Sequence, residues 1–158
     1  MIEEALRRIK ITKKENLSYL NLRGLDLKEV PKEILEVPWI GALSLSNNNI
    51  KNIEILSNMK NVHKLALSNN LIEDISVLEY MTKLRFIFLG HNRINNISTI
   101  KNQERLKKLV LESNKITSFP DLSHFKLLAY LDLSNNPLKL PSIKEIKIIL
   151  PSLKIFKY

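Results

Sequence analysis

The chain has 158 residues, a length that suits one domain, and 44% of them are apolar, enough for a continuous core. It contains no cysteine, which excludes disulfides, thiolate metal sites and cysteine nucleophiles. The formal net charge of +9 favours solubility and acidic surfaces, while no apolar run approaches the roughly 20 residues that a membrane span needs.

The N-terminus, Met-Ile-Glu-Glu-Ala-Leu-Arg-Arg, places acidic residues before a basic pair and lacks the apolar core of a secretion signal. With the missing cysteines this sets the expectation of an intracellular protein, cytoplasmic or nuclear. Ile2, Ala5, Leu6 and Ile9 follow helical spacing and predict a short helix with one apolar face. A helix at this place covers the open end of whatever array follows.

From Leu17 onward one pattern recurs, starting at Leu17, Ile40, Val62, Leu84, Leu106 and Leu128, in steps of 23, 22, 22, 22 and 22 residues. The fourth and sixth places are apolar in every copy, from Leu20 and Leu22 to Leu131 and Leu133. Side chains alternate along a strand, so these two places share an inward face, and each copy contributes one short parallel strand. The ninth place holds Asn48, Asn70, Asn92, Asn114 and Asn136. An amide carries donors and acceptors together, which suits a buried position where the chain turns inward and leaves backbone groups unpaired. Leu25 occupies the ninth place of the first copy, so the ladder is expected to begin at Asn48.

The back half of each copy carries a second apolar set, such as Ile53, Leu56 and Met59, or Ile75, Leu78 and Met81. A 22-residue unit has little room for a full helix, which predicts short 3₁₀ or irregular turns. Gln103 interrupts the set in the fourth copy and is expected at the surface. Pro137 and Pro141 break the last copy. Ser142 is placed to cap a helix bearing Ile143, Ile146, Ile149 and Leu150, which Pro151 ends. Leu153 and Phe156 are candidates for a last short strand, closed by Tyr158. The chain is therefore read as one domain over 1–158, with an N-terminal cap helix over 1–16, six repeats over 17–139 and a C-terminal cap over 140–158.

The motif Leu-x-x-Leu-x-Leu-x-x-Asn-x-Ile-x-x-Ile at this period resembles the leucine-rich repeat superfamily. It is similar to the class with 22-residue repeats that holds the nuclear regulator of type-one protein phosphatase and internalin-type arrays. The resemblance implies an α/β solenoid: a right-handed horseshoe with a parallel concave sheet, short 3₁₀ or irregular convex segments, and helical caps at both ends. It also implies that the concave face contacts partners, and it carries neither an enzymatic activity nor a cofactor. Leu20-Asn-Leu-Arg-Gly24 is similar to the opening of the spliceosomal A-prime protein, which makes a ribonucleoprotein subunit the alternative reading, beside a purely structural scaffold array.

The third and fifth places alternate with the inward ones and form two columns on the solvent side of the sheet. The third-place column runs Tyr19, Ala42, Lys64, Phe86, Lys108, Tyr130, and the fifth-place column runs Asn21, Ser44, Ala66, Phe88, Val110, Asp132. Phe86, Phe88, Val110 and Tyr130 put apolar surface where solvent is expected, and Lys64, Arg85, Lys107 and Lys108 surround them. An aromatic centre in a charged rim is what a binding hot spot needs, while packing between strands is the competing explanation. The small residues Ala42, Ser44 and Ala66 predict a shallow depression beside the ridge. The partner-binding candidates are therefore Phe86, Phe88, Val110, Tyr130, Lys64, Arg85 and Lys108. The expected partner is another protein, an acidic one if the cations take part. Nucleic acid is the second class, and the free chain is expected to be a monomer. His63 and Ser68 stand roughly 16 Å apart along an extended strand, too far for a nucleophile pair. His91 and Glu112 are read as a surface ion pair, and no metal or cofactor is assigned.

Overall fold

The computed structural model describes residues 1–158. Helix α1 (Ile2–Lys14) is followed by β1 (Tyr19–Asn21), β2 (Ala42–Ser44), β3 (Lys64–Ala66), β4 (Phe86–Phe88), β5 (Lys108–Val110) and β6 (Tyr130–Asp132), then helix α2 (Ile143–Ile149) and β7 (Ile155–Lys157). All seven strands lie in one sheet in chain order, each parallel to the next. The register joins equal places of successive copies: Leu20, Leu43, Leu65, Ile87, Leu109 and Leu131 form one inward row. The architecture is a leucine-rich-repeat solenoid with a concave parallel sheet.

The convex segments divide into two kinds. Lys32–Glu36, Glu54–Asn58 and Ser76–Tyr80 are single 3₁₀ turns of five residues, and the two later copies return through irregular turns. One core of 40 buried residues runs from Ala5 to Leu150. No copy has a core of its own, so the hydrophobic stabilisation belongs to the stack.

The asparagine ladder begins at Asn48, whose Oδ1 accepts from the backbone N–H groups of Leu25 and Leu27 at 3.0 Å each. Further on each amide bridges two copies. Asn70 Oδ1 accepts from Ile50 N–H, and its Nδ2 donates to the carbonyls of Leu45 and Leu67 at 3.0 and 2.9 Å. Asn92 and Asn114 repeat this arrangement, as does the half-buried Asn136.

The turn itself depends on the place before the asparagine. Gly24, Asn47, Asn69, His91, Ser113 and Asn135 occupy it, and every one has φ between 54° and 69°. Glycine and asparagine tolerate this left-handed conformation best, which accounts for four of the six. The pairing of a left-handed residue with an inward asparagine reverses the chain after β2 to β6, while after β1 the left-handed Gly24 precedes Leu25.

Both ends are covered. Helix α1 buries Ala5, Ile9 and Thr12, but Ile2 is exposed, so the apolar face predicted from Ile2 is shorter than its spacing suggests. Arg8 Nη1 donates to Asn21 O at 2.9 Å, and Trp39 Nε1 donates to Leu17 O at 3.0 Å, so side chains satisfy carbonyls at the β1 edge. Ser142 caps α2 in a capping box. Its Oγ accepts from Glu145 N–H at 3.3 Å, and its own N–H donates to Glu145 Oε2 at 2.8 Å. The helix stops at Ile149, ahead of Pro151. Phe156 enters β7 and stacks on Tyr158 with ring centroids 5.0 Å apart; Leu153 stays outside the strand.

Gln103 corrects the sequence reading. It is fully buried, not at the surface, at the place that Met59, Met81 and Phe125 hold in the other copies. Its Nε2 donates to Leu78 O, and its Oε1 has no partner. The stack fixes this place inside the core whatever residue fills it.

Candidate binding surface

Strands β3 to β6 place the candidate residues on adjacent backbones. In register, Lys64 lies beside Phe86, Phe86 beside Lys108 and Lys108 beside Tyr130; Ala66, Phe88, Val110 and Asp132 form the parallel column. Lys64 and Arg85 are exposed, whereas Phe86, Phe88, Lys108 and Tyr130 are half-buried.

Three details differ from the sequence expectation. Lys108 does not belong to a rim. Its Nζ stands 3.9 Å from the centroid of the Tyr130 ring and 5.4 Å from that of Phe88, so the ammonium sits inside the aromatic group as a cation–π partner. Val110 is only 8% exposed, with bulky Phe88 in register beside it on the neighbouring strand. Asp132 is 2% exposed although its place alternates with the inward ones. Its Oδ1 accepts from Ser134 N–H at 3.1 Å and from Ser134 Oγ at 2.6 Å, the Tyr130 hydroxyl donates to Oδ2 at 3.4 Å, and Lys157 Nζ lies 3.7 Å away. Tyr130 and then Asp132 hold the Lys157 ammonium above the ordinary lysine range, through a hydrogen bond to the phenol first and the carboxylate charge after it. The sequence offered no sign of this cluster, because Lys157 reaches Asp132 only through the seventh strand.

The predicted depression exists in a shifted form. A shallow hollow of about 280 Å³ is lined by Ala66, Lys64, Phe88 and Arg23 with the turn residues Asn47 and Asn69, and neither Ala42 nor Ser44 takes part. Larger hollows of about 780 and 830 Å³ lie on the convex side, in grooves between successive turns. They are by-products of stacking, and the ordered grid of side chains lies on the sheet.

The histidines occupy separate settings. The His63 ring lies against Gly41, where a Cβ would come within 2.5 Å of Nε2, so the glycine makes room for the imidazole. His91 Nε2 is 3.9 Å from Glu112 Oε1 with both side chains exposed, which is a solvated pair. His124 Nε2 is 3.0 Å from Ile100 O on the convex side.

Residues 42–80, 60–102 and 82–124 each match the family described as Leucine Rich repeats (2 copies), and residues 127–151 match Leucine Rich Repeat. The chain belongs to the leucine-rich repeat family. Membership of this family suggests a protein–protein interaction module. Among solved structures it is similar to internalin InlF from Listeria monocytogenes, at 23% identity over 95% of this chain and 54% of that one, with a TM-score of 0.82. Internalin C2 of the same organism is 26% identical over 83% of this chain and 56% of its own, with a TM-score of 0.72. A leucine-rich-repeat protein of Leptospira interrogans is 27% identical over 93% of this chain and 38% of its own, with a TM-score of 0.79. No curated protein matches the chain. The leucine-rich repeat chain spans about half the length of the internalins it matches, and the likeness to InlF is one of fold. No helix in it is long and apolar enough to cross a membrane.

Proposed function

We propose that this leucine-rich repeat chain is a non-enzymatic binding module that holds a protein partner on its concave face, with Phe86, Phe88, Tyr130 and Lys108 as the anchor. One observation carries this reading: two phenylalanines and a tyrosine stand half-exposed around a lysine on the ordered face of the sheet, at places the repeat leaves free. The strands hold these side chains before any partner arrives, so little entropy is lost on binding. Val110 forms the floor of the patch, and Lys64 and Arg85 supply uncompensated positive charge at its border. An acidic partner segment with an apolar or aromatic anchor fits this combination.

The double variant F86A/F88A tests the proposal. Native extract is passed over immobilised wild type and variant, and circular dichroism confirms that both are folded. Partners retained by the wild type and lost by the variant are the expected outcome. If every retained protein stays on the variant, the concave anchor is wrong.

A further inference from the structure

A second surface lies on one flank of the solenoid, at the N-terminal ends of the strands. From the third copy onward, the segments that lead into the sheet are residues 60–63, 82–85, 104–107, 126–129 and 150–154. They hold seven lysines and arginines against one carboxylate, Glu104. The difference, seven minus one, is +6 of the +9 carried by the whole chain. What looks dispersed along the sequence is gathered by the repeat onto one side.

The stacking is direct. The backbone N–H of Arg85 donates to His63 O at 2.8 Å, that of Lys107 to Arg85 O at 2.9 Å, that of Ala129 to Lys107 O at 2.9 Å, and that of Lys154 to Ala129 O at 2.9 Å. Adjacent strands lie about 4.8 Å apart, so this column extends over roughly 19 Å. None of the seven cations has a carboxylate within 4.0 Å, whereas the ion pairs of the molecule engage Arg7, Arg8, Lys13, Arg93, Lys101 and Lys157. Leu127 is the one large apolar side chain that is well exposed in these segments. Beyond the other ends of the strands, Lys51, Arg93, Lys115 and Lys139 are interspersed with Asp26, Glu73, Asp74 and Glu112.

We propose that this flank binds the phosphate backbone of a nucleic acid. A row of cations without carboxylate partners, contributed by every segment in turn, fits an anion that repeats along its own length. An acidic protein segment needs pockets and register, which the open flank lacks, and a membrane needs more apolar side chains than Leu127. With few aromatics beside the track, recognition is led by the backbone and is insensitive to sequence. The proposal shares only Arg85 with the border of the concave patch and does not require the aromatic anchor.

The test is fluorescence anisotropy with a labelled single-stranded uridine oligomer and the full chain. With about five phosphates engaged, affinity should fall roughly 100-fold between about 50 and about 200 mM salt. The quadruple variant K83Q/R105Q/K107Q/K126Q, all exposed positions, should lose at least about tenfold in affinity at the lower salt and show a shallower salt slope. K51Q/R93Q/K115Q/K139Q removes the same charge from the other flank and should keep the slope, and F86A/F88A should bind RNA as the wild type does. Absence of binding at the lower salt overturns the proposal, as does an equal loss in the two quadruple variants. Competition by polyglutamate or by phosphatidylserine vesicles as strong as that by unlabelled RNA would also overturn it, assigning the flank to acidic proteins or to membranes.

Discussion

At the scale of single residues, Asn70 shows how one side chain serves four backbone groups. The carbonyls of Leu45 and Leu67 each keep a second amide donor, from Asn48 and Asn92, and Ser68 O keeps Asn47 N–H, so only Ile50 N–H is left without a partner when Asn70 is truncated. Asn70→Ala is expected to cost about 2 kcal/mol, chiefly for that buried donor, read as a lower urea midpoint. Gln103 is the opposite case. Leu78 O already accepts from Met81 N–H at 3.0 Å, and Gln103 Oε1 has no partner, so the amide gains little and leaves a polar atom stranded. Gln103→Met restores the residue that Met59 and Met81 supply in other copies and is expected to stabilise by about 1 kcal/mol in the same assay. The asparagine role was legible from its period alone. Burial of Gln103 was not, because a single polar residue within an apolar set reads as surface until the stack is seen.

At the scale of elements, α1 is held to the first strand by an acid–base cluster. Glu4 accepts from Arg7 Nε at 2.7 Å and from Arg8 Nε at 2.7 Å, and Arg8 in turn reaches Asn21 O. The hydrogen bonds from Arg7, and then those from Arg8, lower the Glu4 carboxyl from 4.5 to about 2. A carboxylate depressed in the folded state adds stability that is fully present above its unfolded value and is lost as pH falls through its folded value. The stability difference between wild type and Glu4→Gln is therefore expected to be constant above about pH 4.5 and to vanish by about pH 2, measured by urea titrations across that window. Helix α2 uses the same chemistry in its capping box, where the Ser142 hydroxyl and backbone N–H hold the Glu145 carboxyl below its ordinary value. The caps were predicted from apolar spacing and from Ser142 before Ile143. The tether from Arg8 to β1 was not, because a contact over 13 residues leaves no mark in local sequence.

At the scale of the whole molecule, the core is a stack with two covered ends, so damage at one end should spread from that end. Deleting residues 1–16 uncovers the first copy. It is expected to lower the urea midpoint and to accelerate amide hydrogen exchange in β1 and β2, leaving β5 and β6 protected. Uniform loss of protection through β6 would contradict this picture of neighbour-by-neighbour stabilisation. The same stacking converts sequence period into surface chemistry: one place per copy becomes one column, whether of leucine, asparagine or cations.

Sequence alone determined the fold of this protein, because a 22-residue period with apolar first, fourth and sixth places and asparagine at the ninth permits one way of burying the apolar faces. It also selected the concave columns, since alternation along a strand fixes which places face outward. Only the tertiary structure decided how those places are used. Lys108 moves from rim to centre because Tyr130 stands one strand away, Asp132 is buried because β7 brings Lys157 to it, and the cations align on one flank because successive copies are in register. Each of these is a contact between residues about one repeat apart, and such a contact is set by stacking distance rather than by neighbours in the chain.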